Sequence, residues 1–288
     1  MPALSIVLPA HNEAETLPSL LAELRGLYPE AEIVVVDDGS TDGTGELARA
    51  GGADQVLRHP YPMGNGAAIK DGARKVRGEV VVFMDADGQH RPGEIAKLLA
   101  ALEAGYAMAV GARTAGGHAN LARRLANGFY NRLASWVTGY RIADLTSGFR
   151  AARRELFRKI LFLLPNGFSY PTTSTMAFLR AGFPVRFVPV EVKPRGGAAS
   201  HIRPLRDGSR FLLIILKVAM LYSPLKVFTP ASLAFFLVGA GYYGWTYTTS
   251  HRFSNMSALL LIVSGLVFLM GLVAEQIATL LYANTSRD

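Results

Sequence analysis

The chain contains no cysteine, which excludes disulfide staples and thiolate metal sites and suits a reducing compartment. Acidic residues are in short supply: 22 Asp and Glu face 30 Lys and Arg, a formal net charge of +8 over 288 residues. From Leu156 to Val190 there is no Asp or Glu at all. The first apolar run, Leu4–Pro9, lacks a GxGxxG turn after it and ends in Pro9-Ala10-His11-Asn12-Glu13, which counts against a nicotinamide or flavin enzyme. Charge itself vanishes near the end of the sequence. Val227–Ser250 and Phe253–Ala274 hold no Lys, Arg, Asp or Glu. Each exceeds the roughly 20 residues that cross a ~30 Å hydrocarbon layer as helix.

These two runs predict a transmembrane hairpin turned at His251-Arg252, and the mean hydropathy of +0.23 is high for a soluble enzyme. Arg203, Arg206, Arg210, Lys217 and Lys226 precede the first run, against Arg252 alone in the turn. Basic residues stay inside, so the large N-terminal part is expected in the cytoplasm, with two spans and a short cytoplasmic tail. Leu4–Leu8 already reads as a strand, so no signal peptide is expected before it. Crowding of positive charge beside the spans points to anionic lipid or a lipid phosphate rather than to nucleic acid. Ser209–Tyr222 is too charged and short to span and reads as an interfacial helix. The expected organisation is a globular domain over 1–207, an interfacial segment over 208–226 and a hairpin over 227–288. Gly239, Gly241 and Gly244 in the first span permit close helix packing, within the hairpin or in a homo-oligomer.

The first half alternates strand-like and helix-like runs. Leu4–Pro9, Glu32–Asp37, Gln55–Arg58, Val80–Met84 and Ala107–Gly111 are short strand-like runs, separated by helical stretches near 14–27, 43–50, 66–76 and 93–104. Alternation of this kind predicts an α/β fold with a mostly parallel sheet covered on both faces. Ligands of such folds bind beyond the carboxyl ends of the strands. A basic helix is expected over 120–138, a loop over Asp144–Arg150, a helix near 172–181, a strand over Val185–Val192 and a Gly/Arg/His-rich loop over 195–207.

Polar motifs collect at the strand ends. Asp37-Asp38-Gly39-Ser40-Thr41-Asp42 follows the second strand, where acids can bond a ribose or base edge, or where Ser40 or Thr41 caps a helix that Asp42 also favours. The fourth strand ends in Asp85-Ala86-Asp87-Gly88-Gln89-His90. Two carboxylates at i and i+2 make a hard-oxygen site suited to Mg²⁺ or Mn²⁺, with phosphate oxygens completing the shell. Gln89 and His90 stand ready to add to it. Without a cation the two acids repel each other.

In this order and spacing, Pro9-Ala10-His11-Asn12-Glu13, Asp37-Asp38-Gly39-Ser40, Gly64-Asn65-Gly66-Ala67-Ala68-Ile69-Lys70 and Asp85-Ala86-Asp87 resemble the family 2 glycosyltransferases of the GT-A, Rossmann-like fold. Asp144-Leu145-Thr146-Ser147-Gly148-Phe149-Arg150, with the terminal hairpin, is similar to the branch that glycosylates polyprenyl phosphates, dolichyl or undecaprenyl. The resemblance spans essentially the whole chain. It implies that Pro9, Ala10, His11, Glu13, Asp37, Asp38, Lys70 and Asp85 line a nucleotide-sugar pocket. It implies that Asp85, Asp87 and Gln89 hold the metal against the donor diphosphate, and that Asp85, Asp87, Arg113, Ser147 and Arg150 carry the catalysis. Arg113, Ser147, Arg150, Arg195, Ser200, Arg203 and Arg206 are its candidates for the acceptor phosphate. Where relatives carry Gly-x-Ser-Lys, this chain has Ala198-Ala199-Ser200-His201, so Arg195, His201 and Arg203 are the substitutes for the missing lysine.

The acid-poor stretch agrees with this reading. A sugar hydroxyl acceptor needs a carboxylate base, whereas a phosphate monoester, with a second pKa of about 6, arrives already anionic. It needs cations, and Arg fits phosphate well. The expectation is an inverting hexose transfer from a nucleotide-diphosphate sugar to a polyprenyl phosphate, with Glu155 or Asp144 as the bases that a saccharide or lipid hydroxyl acceptor would call on. A processive synthase would carry Gln-x-x-Arg-Trp and more spans. A catalytically dead scaffold would have lost Asp37, Asp38, Asp85 and Asp87.

Overall fold

The computed structural model describes residues 3–113, 121–167, 170–192, 216, 219–220 and 222–283. Seven strands among them form one sheet: β1 Leu4–Ala10, β2 Glu32–Asp37, β3 Gln55–Arg58, β4 Val80–Phe83, β5 Met108–Arg113, β6 Arg150–Arg153 and β7 Val185–Val190. Their order is β3-β2-β1-β4-β6-β5-β7. The β1–β2, β1–β4, β2–β3 and β5–β7 pairs are parallel, and β6 runs antiparallel to both β4 and β5. The central strands are buried on both faces, as their unbroken Val/Ile/Leu runs require.

One face carries α1 Leu17–Leu27, α2 Thr44–Ala50 and α4 Ile95–Glu103, and the other carries α3 Asn65–Lys75, α6 Arg154–Lys159 and α7 Tyr170–Arg180. In α1, Leu17, Leu20, Leu21 and Leu24 recur at helical spacing and are all buried. The α3 helix comes unusually near the sheet because it is lined with small residues. A Cβ on Gly72 would stand 2.4 Å from a Val7 methyl. The basic helix α5, Leu121–Thr138, packs with α7 and the base of the hairpin.

Two helices follow, Pro224–Ser250 and Asn255–Ala283, both long and apolar enough to cross a membrane. The first begins three residues before the expected span, and the second starts two residues late and continues nine residues beyond Ala274. Ser232 Oγ donates to the Ser264 carbonyl at 2.9 Å, and Ser264 Oγ returns a bond to the Ser232 carbonyl at 3.0 Å. A Cβ on Gly239 would meet Leu260 at 3.0 Å, so hairpin packing accounts for this glycine, whereas Gly241 and Gly244 have nothing within 4 Å. Of the expected interfacial helix, Leu216, Ala219, Met220 and Tyr222 are described and helical; Ala219 and Tyr222 are buried against α5 and α7.

The strand absent from the sequence reading is β6. It occupies the middle of the sheet, with Arg150 opposite both Phe83 and Val110. Being antiparallel, it starts at the edge where β4 and β5 end. The segment Asp144–Phe149 is thereby delivered to the same edge as Asp85, Asp87 and Arg113. Glu155, beyond the other end of β6, falls at the opposite edge, where the Arg154 amide bonds the Glu79 carbonyl at 2.9 Å.

Candidate active site

Strand order turns away from β1 in both directions, towards β2 and towards β4, which is the crevice where doubly wound sheets bind ligands. The loops after β1 and β2 are tied together there. Asn12 takes a left-handed backbone at φ 54°, receives the Thr41 amide on its side-chain oxygen at 3.0 Å, and its own amide bonds Ser40 Oγ at 3.0 Å. His11 Nδ1 donates to the Asp38 carbonyl at 2.8 Å. The Thr16 hydroxyl lies 3.0 Å from the Glu13 carboxylate and 2.9 Å from the Ala86 carbonyl, joining this loop to the Asp85–Asp87 turn.

Several expected nucleotide-pocket residues bond neighbouring loops at this crevice. Asp38 accepts the Met63 and Gly64 amides at 2.7 and 2.8 Å and meets His59 Nδ1 at 2.7 Å. Burial opposes its ionisation, but these hydrogen bonds outweigh burial and hold it below the usual carboxylate range. Asp37 Oδ1 accepts the Ser40 amide at 2.9 Å, while Oδ2 is buried with Arg58 Nε 3.5 Å away. Lys70 directs its ammonium to the Leu164 carbonyl at 3.2 Å and to the Asn166 side chain, pinning residues 164–166 over the start of α3. Pro9 and Ala10 end β1 at the crevice. Gly39, at φ 69°, lets the Tyr61-Pro62 backbone close on the loop after β2; a Cβ there would stand 2.6 Å from the Tyr61 carbonyl carbon.

The carboxylate pair sits at the end of β4. Asp85 Oδ1 accepts Asn65 Nδ2 at 3.2 Å, and Asp87 Oδ1 accepts the Gln89 amide at 3.1 Å. Burial first, and the charge of Asp87 second, push the Asp85 carboxyl up to about 6. Burial also pulls His90 down to about 4, so its ring is neutral at physiological pH; it stacks on Phe149 with ring centroids 4.8 Å apart. Asn65 Oδ1, His90 Nδ1 and Ser147 Oγ are buried without hydrogen-bond partners in this neighbourhood. Two neighbouring carboxylates, with the Asp85 carboxyl raised, among unsatisfied polar atoms fit a divalent cation. Among the described residues no three His, Asp or Glu side chains converge as a ready-made metal cage. A cation held by Asp85 and Asp87 would need further ligands from other side chains, substrate or solvent.

Gly148 abuts the pair, since a Cβ there would lie 2.9 Å from Asp85 Oδ2. Two side chains hold its loop. Tyr170 Oη donates to the Gly148 carbonyl at 2.9 Å, and Arg150 Nη2 donates to the Ser147 carbonyl. Arg150 is fully buried, with further bonds to the Pro171 carbonyl at 3.0 Å, Thr175 Oγ1 at 3.3 Å and the Ser174 hydroxyl. Expected as an acceptor ligand, it lies fully buried behind the Ser147-Gly148 loop. Arg113 is at the edge of the site and only partly covered. Its Nε and Nη2 bond Asp144 at 2.7 and 2.9 Å, and Nη2 also reaches Thr146 Oγ1 at 2.5 Å. Burial disfavours both charges, but the paired geometry keeps Arg113 protonated and Asp144 well below the usual carboxylate range. Arg195, Ser200, His201, Arg203 and Arg206 lie outside the described residues. Asn65, Tyr170 and the Arg113–Asp144 pairing were not foreseen; the Gly-Asn-Gly start of α3 was the one available signal.

Comparisons with known proteins agree with this geometry. The family model described as glycosyl transferase family 2 matches residues 5–161, and a model of the GtrB C-terminal hairpin matches residues 223–280. The chain is 30% identical to glycosyltransferase AglJ of Haloferax volcanii over 96% of this chain and 94% of the relative. It is 33% identical to the polyprenol monophosphomannose synthase of Mycolicibacterium smegmatis, over 74% of this chain and 84% of the relative. Among solved structures it resembles glucosyl-3-phosphoglycerate synthase of Mycobacterium tuberculosis in complex with Mn²⁺ and UDP-glucose. The TM-score is 0.61 at 24% identity, covering 76% of this chain and 79% of that one, which establishes the GT-A fold. The two apolar helices and the matched hairpin mark a membrane protein. The chain belongs to glycosyl transferase family 2.

Proposed function

We propose that this glycosyltransferase moves a hexose from a nucleotide-diphosphate sugar to a polyprenyl phosphate in the cytoplasmic leaflet, with inversion at the anomeric carbon. The observation that carries the acceptor assignment is the disposition of Asp144 and Glu155, the two candidate bases for a hydroxyl acceptor. Asp144 is locked in a bidentate pair with Arg113, and Glu155 stands at the far edge of the sheet. A hydroxyl acceptor would be left without either base; a phosphate acceptor needs none. Relatives named for polyprenol and undecaprenyl phosphate support the same acceptor class.

In this reading an acceptor phosphate oxygen attacks the anomeric carbon as the bond to the donor diphosphate breaks, and the nucleoside diphosphate departs. Asp85 and Asp87 would hold a Mg²⁺ or Mn²⁺ ion, which when bound would neutralise charge on the leaving diphosphate. Asp38 and Lys70 shape the donor side by fixing the loops 59–64 and 164–166. Arg113, oriented by Asp144 and Thr146, supplies its guanidinium on the acceptor side. Arg195, Ser200, Arg203 and Arg206 are proposed to add cations from the following segment, with Gln89 completing the metal shell.

Positive residues ahead of the first span, against Arg252 in the turn, support a cytoplasmic catalytic domain. Sealed inside-out vesicles carrying the protein and a polyprenyl phosphate are expected to form glycosyl-phospholipid from nucleotide sugar added outside. Product from sealed right-side-out vesicles alone would contradict the orientation, and no lipid-linked product from either would contradict the function.

A further inference from the structure

Helix α7 touches the catalytic loop at one end and the membrane hairpin at the other. At its start, Tyr170 holds the Gly148 carbonyl, while Pro171, Ser174 and Thr175 hold the Arg150 guanidinium that grips Ser147. Every residue from Tyr170 to Leu179 is buried. An eleven-residue helix spans about 16 Å. At its last residue, Arg180 Nη2 bonds Glu275 Oε1 at 3.0 Å, with Thr279 Oγ1 at 3.5 Å. The guanidinium also lies 5.7 Å from the Tyr222 ring centre and 5.9 Å from that of Tyr282. Glu275 uses its second oxygen to accept the Leu225 amide at 3.2 Å, at the start of the first hairpin helix.

Glu275 is the sole Asp or Glu between Val227 and Tyr282. An acid there is costly unless paired, and such residues mark function in membrane segments. We infer that Arg180 and Glu275 form a positioning latch which, through α7, sets the Ser147-Gly148 loop at the depth of a bilayer-embedded acceptor phosphate. The latch touches neither substrate. It joins both hairpin helices to the rod whose other end carries the acceptor side of the site. Loosening it lets the catalytic domain tilt relative to the hairpin. The donor site, built from β1, β2 and β4, is unaffected by such a tilt. A headgroup held in the membrane plane loses its register with Asp85 and Arg113, whereas a freely diffusing phosphate does not.

This inference rests on the proposed acceptor, and the test separates the two. The full-length protein in vesicles is assayed with a long-chain polyprenyl phosphate and with a short, water-soluble prenyl phosphate, alongside nucleotide-sugar binding. Glu275→Gln and Arg180→Met are expected to raise KM for the embedded acceptor about tenfold or more. Activity on the soluble phosphate and donor binding should stay within about twofold, and the exchanged pair Arg180→Glu/Glu275→Arg should recover part of the loss. An equal fall on both acceptors, or unchanged kinetics on both, overturns the latch and leaves a purely structural ion pair. Failure of the unaltered protein to glycosylate either phosphate overturns the acceptor assignment and the latch with it.

Discussion

Replacing Asp87 by alanine is expected to lower sugar transfer by about 10³-fold or more while the protein remains folded. Removal of a single group that stabilises developing charge costs about 10²–10³-fold, and the loss of a cation's share adds to this. Asp87 is suited to such a substitution. Its side chain makes one described bond, to the Gln89 amide, within its own turn, and it supports no packed element. Chelation should reproduce most of the loss in the unaltered enzyme, and added Mn²⁺ or Mg²⁺ should restore it. A variant that kept full activity in the presence of chelator would show that the carboxylate pair holds no metal.

Replacing Asp85 by asparagine is expected to stabilise the metal-free protein and to abolish activity. Burial and Asp87 raise the Asp85 carboxyl from its ordinary 3.8 to about 6. A raised acid favours the protonated fold, so this contribution to stability is complete below about pH 4 and is lost as pH rises to about 6. Two units correspond to about 3 kcal/mol at neutral pH, and residual solvent contact reduces this to about 2 kcal/mol. Asparagine keeps the shape and the Asn65 neighbour without the charge. Thermal melts without metal should therefore place the variant above the wild type at pH 7 and level with it near pH 4. Metal plus nucleotide should raise the wild-type melting temperature and leave the variant's unchanged, because only the wild type binds the pair. A variant that melts lower at pH 7, or that gains as much from metal and nucleotide, would contradict this assignment.

Much of this was legible in the sequence because the signals are local. Val80–Phe83 is an unbroken buried strand, the acids of Asp85 and Asp87 follow it directly, and the spans are set by simple absence of charge. The β6 strand was not legible. Arg150-Ala151-Ala152-Arg153 has no β-branched residue and begins with a guanidinium. It becomes a central strand because α7, twenty residues on, supplies oxygens for that cation. The Arg113–Asp144 pair was hidden for the same reason. Its partners are 31 residues apart, and each alone reads as a binding group. Asp38 looked like a nucleotide ligand, yet its oxygens are taken by His59, Met63 and Gly64, a convergence that no spacing rule announces.

In the proposed reaction the membrane delivers an acceptor already carrying its negative charge, which needs cations to bind it and no general base. The most direct measurement is a side-by-side vesicle assay with a polyprenyl phosphate and the corresponding polyprenol, under saturating nucleotide sugar and Mn²⁺. Transfer to the phosphate with none detectable to the alcohol is the predicted result. Equal transfer to the alcohol or to a soluble saccharide would contradict it and require a general base other than Asp144 and Glu155.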